Sequence, residues 1–164
     1  MPDARSGNCN GRTQGGSNAE IVIADAFVKG LPNIDYHLAL EAMLKDATIP
    51  PGGNEEAEGR GGLIPYLELG YIPYGIPRAG NRTIEYSYCD YAIALVAKGL
   101  GKTDLYQQYL KQSSNWKNLW RADYEHAGVK GFILPRDKEG NWLDKIPFGN
   151  SHIQKPTFTY TPVT

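Results

Sequence analysis

The sequence predicts a mainly helical fold in which buried and surface helices alternate. Residues 17–29 and 83–100 carry apolar side chains on nearly every face, which is typical of helices buried on most sides. Residues 36–46 and 104–113 are apolar on one face only, as expected for helices on the outside of a domain. This order fits two concentric rings of helices, an α/α barrel, and it fits a helical bundle with two central helices equally well. No repeat of about 30 to 50 residues accompanies it, which disfavours a solenoid.

The first two helices have clear start signals. After a glycine-rich loop over residues 1–16, Ser17 and Glu20 form a capping box, and the helix continues to Lys29 before Gly30. Asp35 is the expected cap of the second helix, which should run to about Asp46. We expect residues 17–29 and 83–100 to be mostly buried and to pack against each other, with residues 36–46 and 104–113 outside them.

The next stretch is irregular. Residues 47–62 are rich in Pro, Gly and Glu and predict a long exposed loop, and loops of that length are often functional. Residues 63–69 predict a short helix, because Pro65 is tolerated only in a first turn. Residues 70–77 predict an extended, turn-rich segment.

The central helix is expected over residues 81–102, with Glu85 in its first turn and Gly99 and Gly101 at its end. It carries two apolar rows at helical spacing: Ile84, Tyr88, Tyr91 and Leu95 in one, and Tyr86, Cys89, Ile93, Val96 and Leu100 in the other. Apolar groups on most of the circumference predict a helix enclosed by its neighbours.

The last third of the chain changes character. Thr103 is the expected cap of a helix that runs to about Ser113. Residues 115–120 would continue this helix with an interruption. Residues 132–136 and 142–143 flank a Gly140-containing turn and predict a β-hairpin. Residues 157–161 alternate as in a strand, although this signal is weak.

Composition excludes several classes of function. The 164 residues hold 17 basic and 18 acidic side chains, so neither nucleic acid nor an anionic membrane is an expected partner. No apolar run reaches the roughly 20 residues of a membrane span, and the polar N-terminus lacks the apolar core of a signal peptide. Cys9 and Cys89 do not fix a redox compartment. Asn81 begins a glycosylation sequon, but it adjoins the buried helix, so we interpret it as structural.

Acids within the apolar helices are the candidates for chemistry. They are Asp25, Glu85 and Asp90, with Arg82 and Arg136 as candidate partners. An isolated buried carboxylate is costly, so each acid should have a partner or a task, and an ion pair or a hydrogen bond is the favoured interpretation. The three histidines are far apart in sequence and show no metal-ligand spacing. The many aromatic residues are able to stack on sugar rings, but most are better interpreted as core.

Several blocks, in order, resemble glycoside hydrolase family 92. Residues 82–91 (R-T-I-E-Y-S-Y-C-D-Y), followed by residues 97–102, are similar to the family's R-T-x-E-Y-x-Y-x-D block. Residues 24–30 look like its A-D-A-x-x-K-G helix end, residues 115–120 resemble its N-x-x-N-L segment, and residues 131–142 resemble its G-F-x-x-P-R...G-x-W hairpin. The resemblance implies an exo-acting, calcium-dependent, inverting α-mannosidase with an (α/α)6 barrel beside a β-sandwich. It favours the barrel over the bundle.

The departures from the family pattern imply a fragment. The family's W-D-x-x-R block should precede Met1, and its acid glutamate lies in an E-G-x-x-W-x-Y block after the hairpin, whereas residues 151–164 contain no glutamate. The base aspartates and the calcium site come later still. We therefore expect residues 1–148 to be part of the family catalytic domain and residues 149–164 to be a divergent tail.

No catalytic residue and no metal ligand can be assigned to a position of this chain, and the substrate-binding residues are unknown. Asp25 and Glu85 match family positions that the resemblance implies to be structural. The expected parent protein releases mannose from N-glycan-type α-mannosides, is secreted or extracytoplasmic, and is inactive in the form of this chain alone. The alternatives are a related role in glycoprotein deglycosylation and a non-catalytic sugar-binding or structural fragment.

Overall fold

The structure is a computed structural model that describes residues 18–52 and 59–143. The described chain is mainly helical and ends in a two-stranded antiparallel sheet, which confirms the predicted fold class. Its elements are α1 (Ala19–Val28), α2 (Tyr36–Thr48), α3 (Leu63–Leu69), α4 (Ala79–Gly99), α5 (Thr103–Gln112), a 3-10 helix (Asn115–Leu119), β1 (Trp120–His126) and β2 (Val129–Ile133). No helix in these residues is long and apolar enough to cross a membrane.

Helix α4 is the centre of the fold. It contacts α1, α2, α5 and the 3-10 helix, and 13 of its 21 residues are buried. Of the two predicted apolar rows, the one that contains Tyr86, Cys89 and Ile93 is buried. In the other row, Tyr88 and Tyr91 remain 54% and 42% exposed. We call that row, Ile84, Tyr88, Tyr91 and Leu95, the tyrosine stripe.

Helix α1 packs against α4 as predicted, but the expectation that it is mostly buried is wrong for the described chain. Only Glu20 and Ala24 are buried, while Val22 and Val28 are exposed. The reason is that α1 packs mainly against α4 and α2, which leaves Val22 and Val28 uncovered by described residues.

Helices α2 and α5 lie outside α4, as predicted. Helix α2 buries Leu40, Met43 and Ala47, and its opposite face is exposed. The Asp35 side chain accepts hydrogen bonds from the backbone N–H groups of His37 and Leu38, both at 3.0 Å, which confirms the predicted cap. Helix α5 buries Tyr109 and begins at Thr103, one residue earlier than predicted, with Lys102 in the cap position.

The ends of α4 differ from the prediction. The helix begins at Ala79, so Glu85 lies in its second turn and is too far along to benefit from the helix dipole as expected. At the other end Gly101 adopts a left-handed φ of +72° and stops the helix. Gly99 has a different role, because a Cβ at this position would collide with the ring of Phe27 on α1.

The β-hairpin is displaced from its predicted position. It pairs β1 with β2 across Ala127 and Gly128, which both have positive φ as tight hairpin turns require. The predicted pairing of residues 132–136 with residues 142–143 is reduced to one bridge, Arg136 with Trp142. Residues 120–126 form a strand that the sequence interpretation did not predict, although apolar Trp120, Ala122 and Tyr124 alternate with polar residues there. Only two of the seven residues are half-buried, so the strand contributes little to the core.

The loop over residues 47–62 is not exposed throughout, contrary to prediction. Its last part turns inward, so that Arg60, Gly61 and Gly62 are buried before α3 begins. Helix α3 carries Pro65 in its first turn, as predicted. Ser17, Cys9, residues 53–58 and the predicted strand at 157–161 lie outside the described residues.

Candidate functional site

The most conspicuous polar feature is a buried cluster around Arg60. Its Nη1 donates to Asp90 Oδ1 at 2.7 Å and its Nη2 donates to Glu20 Oε1 at 3.2 Å. Tyr66 donates its hydroxyl to the other oxygen of Asp90, also at 2.7 Å. All four side chains are 1% exposed. Asp46, which is more exposed, lies 3.5 Å from Arg60 Nε and completes what we call the Arg60 cluster.

Five separate parts of the chain meet in the Arg60 cluster. Glu20 comes from α1, Asp46 from α2, Tyr66 from α3 and Asp90 from α4, while Arg60 enters from the glycine-rich end of the loop. Gly62 has a left-handed φ of +73° and lies so close to Ile72 that a Cβ would come within 3.1 Å of it. The Tyr86 hydroxyl donates to Gly61 O at 3.1 Å, so the backbone is also held in place.

The charges of the Arg60 cluster are fixed by their mutual contact. Burial opposes the charged form of Arg60, but the carboxylates of Asp90 and Glu20 outweigh it and raise the pKa of Arg60 well above its ordinary value. Burial and the Asp90 carboxylate also raise the pKa of Tyr66, so its hydroxyl remains a donor. Both oxygens of Asp90 accept from these donors, and the cluster joins the helices to one another.

The structure places the three predicted acids in three different environments. Asp90 is paired and buried, as the ion-pair interpretation requires, but its partner is Arg60 rather than Arg82 or Arg136. Asp25 is exposed and forms an i to i+4 ion pair with Lys29 at 2.7 Å, so the expectation that it is buried is wrong. Glu85 is half-buried in the second turn of α4. The three acids do not share one site.

The proposed arginine partners lie elsewhere. Arg82 is buried in α4. Arg136 donates to the carbonyl oxygens of Gly140 and Asn118 at 2.8 and 3.2 Å, and its guanidinium lies over the rings of Trp142 and Tyr71. It therefore attaches the end of the described chain to the helical part.

Arg60 and Glu20 are the residues that the sequence interpretation missed. Glu20 was interpreted as part of a capping box with Ser17, so no contact with Arg60 was expected. Arg60 lies between glycines in a stretch that predicts an exposed loop. The one available signal was that a buried acid requires a cation, and Arg60 was not considered for that role.

A second candidate site is an open groove beside the tyrosine stripe. It has a volume of about 330 Å³ and is lined by Ile84, Ser87, Tyr88, Tyr91, Ser113 and Trp116. Trp116 is 37% exposed, so three aromatic rings of the groove remain accessible. The prediction that most aromatic residues are core is confirmed for Tyr66, Tyr71 and Tyr86, which are buried, but not for these three.

The described residues do not fit a calcium site. Within residues 18–52 and 59–143, no group of three or more His, Cys, Asp or Glu side chains has an arrangement that could hold a metal ion. The acids of the Arg60 cluster already bind an arginine, which excludes a cation there. The sequon is helical: Thr83 is buried and its hydroxyl accepts from Ile72 N at 2.9 Å, which supports the structural interpretation.

Comparison with known proteins places the chain in a family. The model of the glycosyl hydrolase family 92 catalytic domain matches residues 1–161. The chain belongs to glycoside hydrolase family 92. The family 92 match runs past residue 148, and the division between a family domain and a tail at that residue stays a prediction.

Individual relatives agree with the family 92 assignment. A protein of Arthroderma benhamiae described as an uncharacterized secreted glycosidase is 44% identical over 169 residues, covering 93% of this chain and 22% of its own length. A family 92 inverting mannosidase from Bacteroides thetaiotaomicron is 34% identical with a TM-score of 0.76, over 88% of this chain and 19% of its own. A family 92 α-mannosidase of the same organism, solved with mannoimidazole, is 32% identical with a TM-score of 0.67. The match covers 82% of this chain and 16% of the mannosidase.

These structural relatives are helical-barrel enzymes, so the described family 92 helices correspond to part of a barrel rather than to a separate bundle. The chain spans about a fifth of the length of the relatives that it matches. The resemblance found in the sequence blocks is thereby confirmed at the level of the whole chain.

Proposed function

We propose that this chain is a structural part of an exo-acting, inverting α-mannosidase that removes mannose from N-glycan-type α-mannosides. The observation that carries the proposal is the likeness to the Bacteroides inverting mannosidase, with a TM-score of 0.76 and 34% identity over 88% of the chain. The mannoimidazole complex of a second relative supports a mannose-type substrate.

The contribution of this chain would be to the scaffold rather than to the chemistry. An inverting glycosidase needs one carboxylic acid and one carboxylate about 6.5–9.5 Å apart, with room for a water and the sugar between them. Asp90 has both oxygens engaged and Asp25 is paired on the surface. Glu85 and Asp90 are five residues apart on one helix, about 140° around its axis, and cannot both face one sugar.

The remaining features of the parent protein are part of the same proposal. The acid, the base and the calcium site would lie in the rest of the barrel and in the β-sandwich, because the described residues fit none of them. A secreted parent agrees with the description of the fungal relative. A role in glycoprotein deglycosylation is the nearest alternative and differs only in the substrate.

A segment exchange tests the proposal. The matching segment of the Bacteroides inverting mannosidase would be replaced by this chain, and the purified chimera assayed on an aryl α-mannoside with calcium present. We expect hydrolysis with inversion of the anomeric configuration. A chimera that melts cooperatively but does not hydrolyse α-mannosides would contradict the proposal.

A non-catalytic sugar-binding fragment is the alternative from a different class. The observation that favours it is the groove, where the exposed rings of Tyr88, Tyr91 and Trp116 are available for stacking. Calorimetric titration of the chain with mannose oligosaccharides tests it. Binding that is lost in Tyr88→Ala would support this alternative, whereas the absence of heat would exclude it.

A further inference from the structure

The β-hairpin has little direct attachment to the helices. Its two strands pair with each other and make at most sparse contacts with the described helices. Neither strand contains a buried residue, and most side chains of β1 are exposed. A two-stranded sheet is only marginally stable by itself. Contacts outside the strand pairing must therefore hold the hairpin in place.

Arginine and aromatic side chains alternate beside the hairpin. The Cζ atom of Arg136 lies 5.4 Å from the ring centroid of Tyr71 and 4.8 Å from that of Trp142. The Cζ atom of Arg121 lies 5.7 Å from the same Trp142 ring and 5.6 Å from the ring of Tyr124. We call these five side chains the cation–π row. A guanidinium over an aromatic ring is attracted to it, and more strongly where water is excluded.

Arg136 is the member of the cation–π row that reaches the helical part. Its Nη1 donates to Asn118 O in the 3-10 helix at 3.2 Å, and its own carbonyl oxygen accepts from Tyr74 N at 2.8 Å. The Asn118 side chain in turn donates to Gly70 O, just after α3, at 2.9 Å. One arginine therefore connects the segment after the hairpin to three earlier parts of the chain.

Arg121 is placed differently. Among the described residues it contacts the rings of Tyr124 and Trp142, and its Nε lies 3.4 Å from Oδ1 of Asp123, whose side chain is 78% exposed. None of these residues belongs to a helix. Arg121 thus joins β1 to Trp142, and the hairpin reaches the helices through the Arg136 end of the row.

We infer that the cation–π row is a conformational latch, which docks residues 120–143 on the helical part through Arg136 and lets them open as one unit while the helices stay folded. The helices keep their own buried contacts in that open state, because the two apolar cores and the Arg60 cluster contain no residue of 120–143. Local openings of this kind require less free energy than global unfolding. The inference does not depend on the proposed function.

Hydrogen exchange of the unmodified 164-residue chain at low urea concentrations tests the latch, with single amides resolved. The amides of Tyr74 and Leu134 report docking, because they donate to Arg136 O and Leu119 O, both at 2.8 Å. We expect these amides and those of the hairpin to exchange through one opening with a weaker urea dependence than the amides of α4, since it exposes less surface. Exchange of all these amides through global unfolding alone would overturn the inference.

Arg136→Gln tests the anchoring residue, and Lys117→Gln is its matched control. Lys117 is also a cation near a ring, 5.9 Å from the centroid of Trp116, but it lies outside the cation–π row. We expect Arg136→Gln to speed exchange at Tyr74 and in both strands about tenfold or more, and to leave α4 unchanged. The control should change these rates by less than about twofold.

Arg121→Gln tests the order of the row. Exchange should become faster in β1 while the Tyr74 amide stays protected, because Arg136 still holds its partners. If Arg136→Gln does not fold, Trp142→Leu is measured in its place, since it removes the ring that both arginines share, and the same local opening is expected. Equal acceleration in the hairpin and in α4, or an effect no larger than that of Lys117→Gln, would overturn the inference.

Discussion

At the scale of single residues, Arg60 connects several helices through buried ion pairs. Its guanidinium lies between the carboxylates of Glu20 and Asp90, and all three side chains are 1% exposed. A buried ion pair contributes little more to stability than apolar residues of similar size in its place. Removal of one charged partner is different, because it leaves the other buried charge uncompensated.

The first prediction is that Arg60→Met strongly destabilises the chain. It leaves two buried carboxylates without their cation, and such losses cost about 3–5 kcal/mol. Lys29→Met is the matched control, because the Lys29–Asp25 pair is exposed on both sides and contributes about 0–1 kcal/mol. Urea unfolding followed by circular dichroism would measure both. Similar midpoints for the two variants would show that the Arg60 cluster is not a main source of stability.

The second prediction concerns pH and Tyr109 of α5. Burial raises the pKa of Tyr109 to about 12, from an ordinary value of 10.0. The folded state therefore keeps a proton that the unfolded state releases, so this contribution to stability is complete below pH 10 and is lost as the pH rises towards about 12. Tyr66 and Cys89, whose pKa values are also raised by burial, act in the same direction.

We expect the free energy of unfolding to fall as the pH rises above 10, and to fall less steeply in Tyr109→Phe, which removes the titrating hydroxyl. Urea titrations at a series of pH values from neutral to strongly alkaline would measure the slope. Parallel curves for the unmodified chain and the variant would contradict the assignment to Tyr109.

At the scale of elements, the helices were predictable because each pattern reports a local property. Asp35 caps α2 through its own side chain, and Leu40, Met43 and Ala47 lie on one face because the helical period places them there. Contacts across the chain were not predictable. The contact of Arg60 with Glu20 joins residues 40 apart, and the sequence near either residue carries no sign of the other.

The hairpin shows the same limit in another form. Its strand β1 has mostly exposed side chains, and its turn is Ala127–Gly128 rather than one of the common turn dipeptides. The alternation of apolar and polar residues over 120–125 was the available signal, and the sequence interpretation did not use it. The predicted turn at residues 137–141 does exist, held by Asn141 N donating to Asp137 Oδ1 at 2.8 Å. Its flanking residues, however, form one bridge instead of two strands.

The third prediction tests the contact between α1 and α4. Gly99→Ala should destabilise the chain by about 1 kcal/mol or more, because the new methyl group would overlap the Phe27 ring and push the helices apart. Phe27→Leu in the same chain should relieve part of this loss, since it removes the ring edge. A double-mutant cycle by urea unfolding measures the coupling. Strictly additive effects would indicate that the two residues do not compete for the same space.

At the scale of the whole molecule, several large apolar side chains of the described residues are exposed. Besides the tyrosine stripe, Val22 and Val28 of α1 and Leu31 after it are exposed by 47% or more. Family membership was predictable because the sequence blocks keep their order. The place of the active site was not, because the acids that meet in the described residues, Glu20, Asp46 and Asp90, lie against Arg60, and no group there could hold a metal ion.

The fourth prediction is that the isolated chain is poorly soluble or associates into species of rising size. Exposed apolar patches on a small protein favour association, since burying them removes apolar surface from water. Sedimentation velocity at several concentrations would measure it, with Tyr88→Lys and Val28→Lys as variants that should raise solubility. A chain that stays a monodisperse monomer at every concentration would contradict this prediction.

The last prediction concerns activity. General acid and base catalysis contributes about 10² to 10⁴-fold. The carboxyl groups that meet in the described residues, those of Glu20, Asp46 and Asp90, are paired with Arg60. Asp90 is locked by Arg60 and Tyr66, and Asp25 is held by Lys29 on the surface. The purified chain should therefore not hydrolyse an aryl α-mannoside, with or without calcium. Glu85 is the third of the candidate acids in the two predicted apolar helices, so Glu85→Gln is the deciding variant. Turnover by the unmodified chain that disappears in Glu85→Gln would move the active site onto α4.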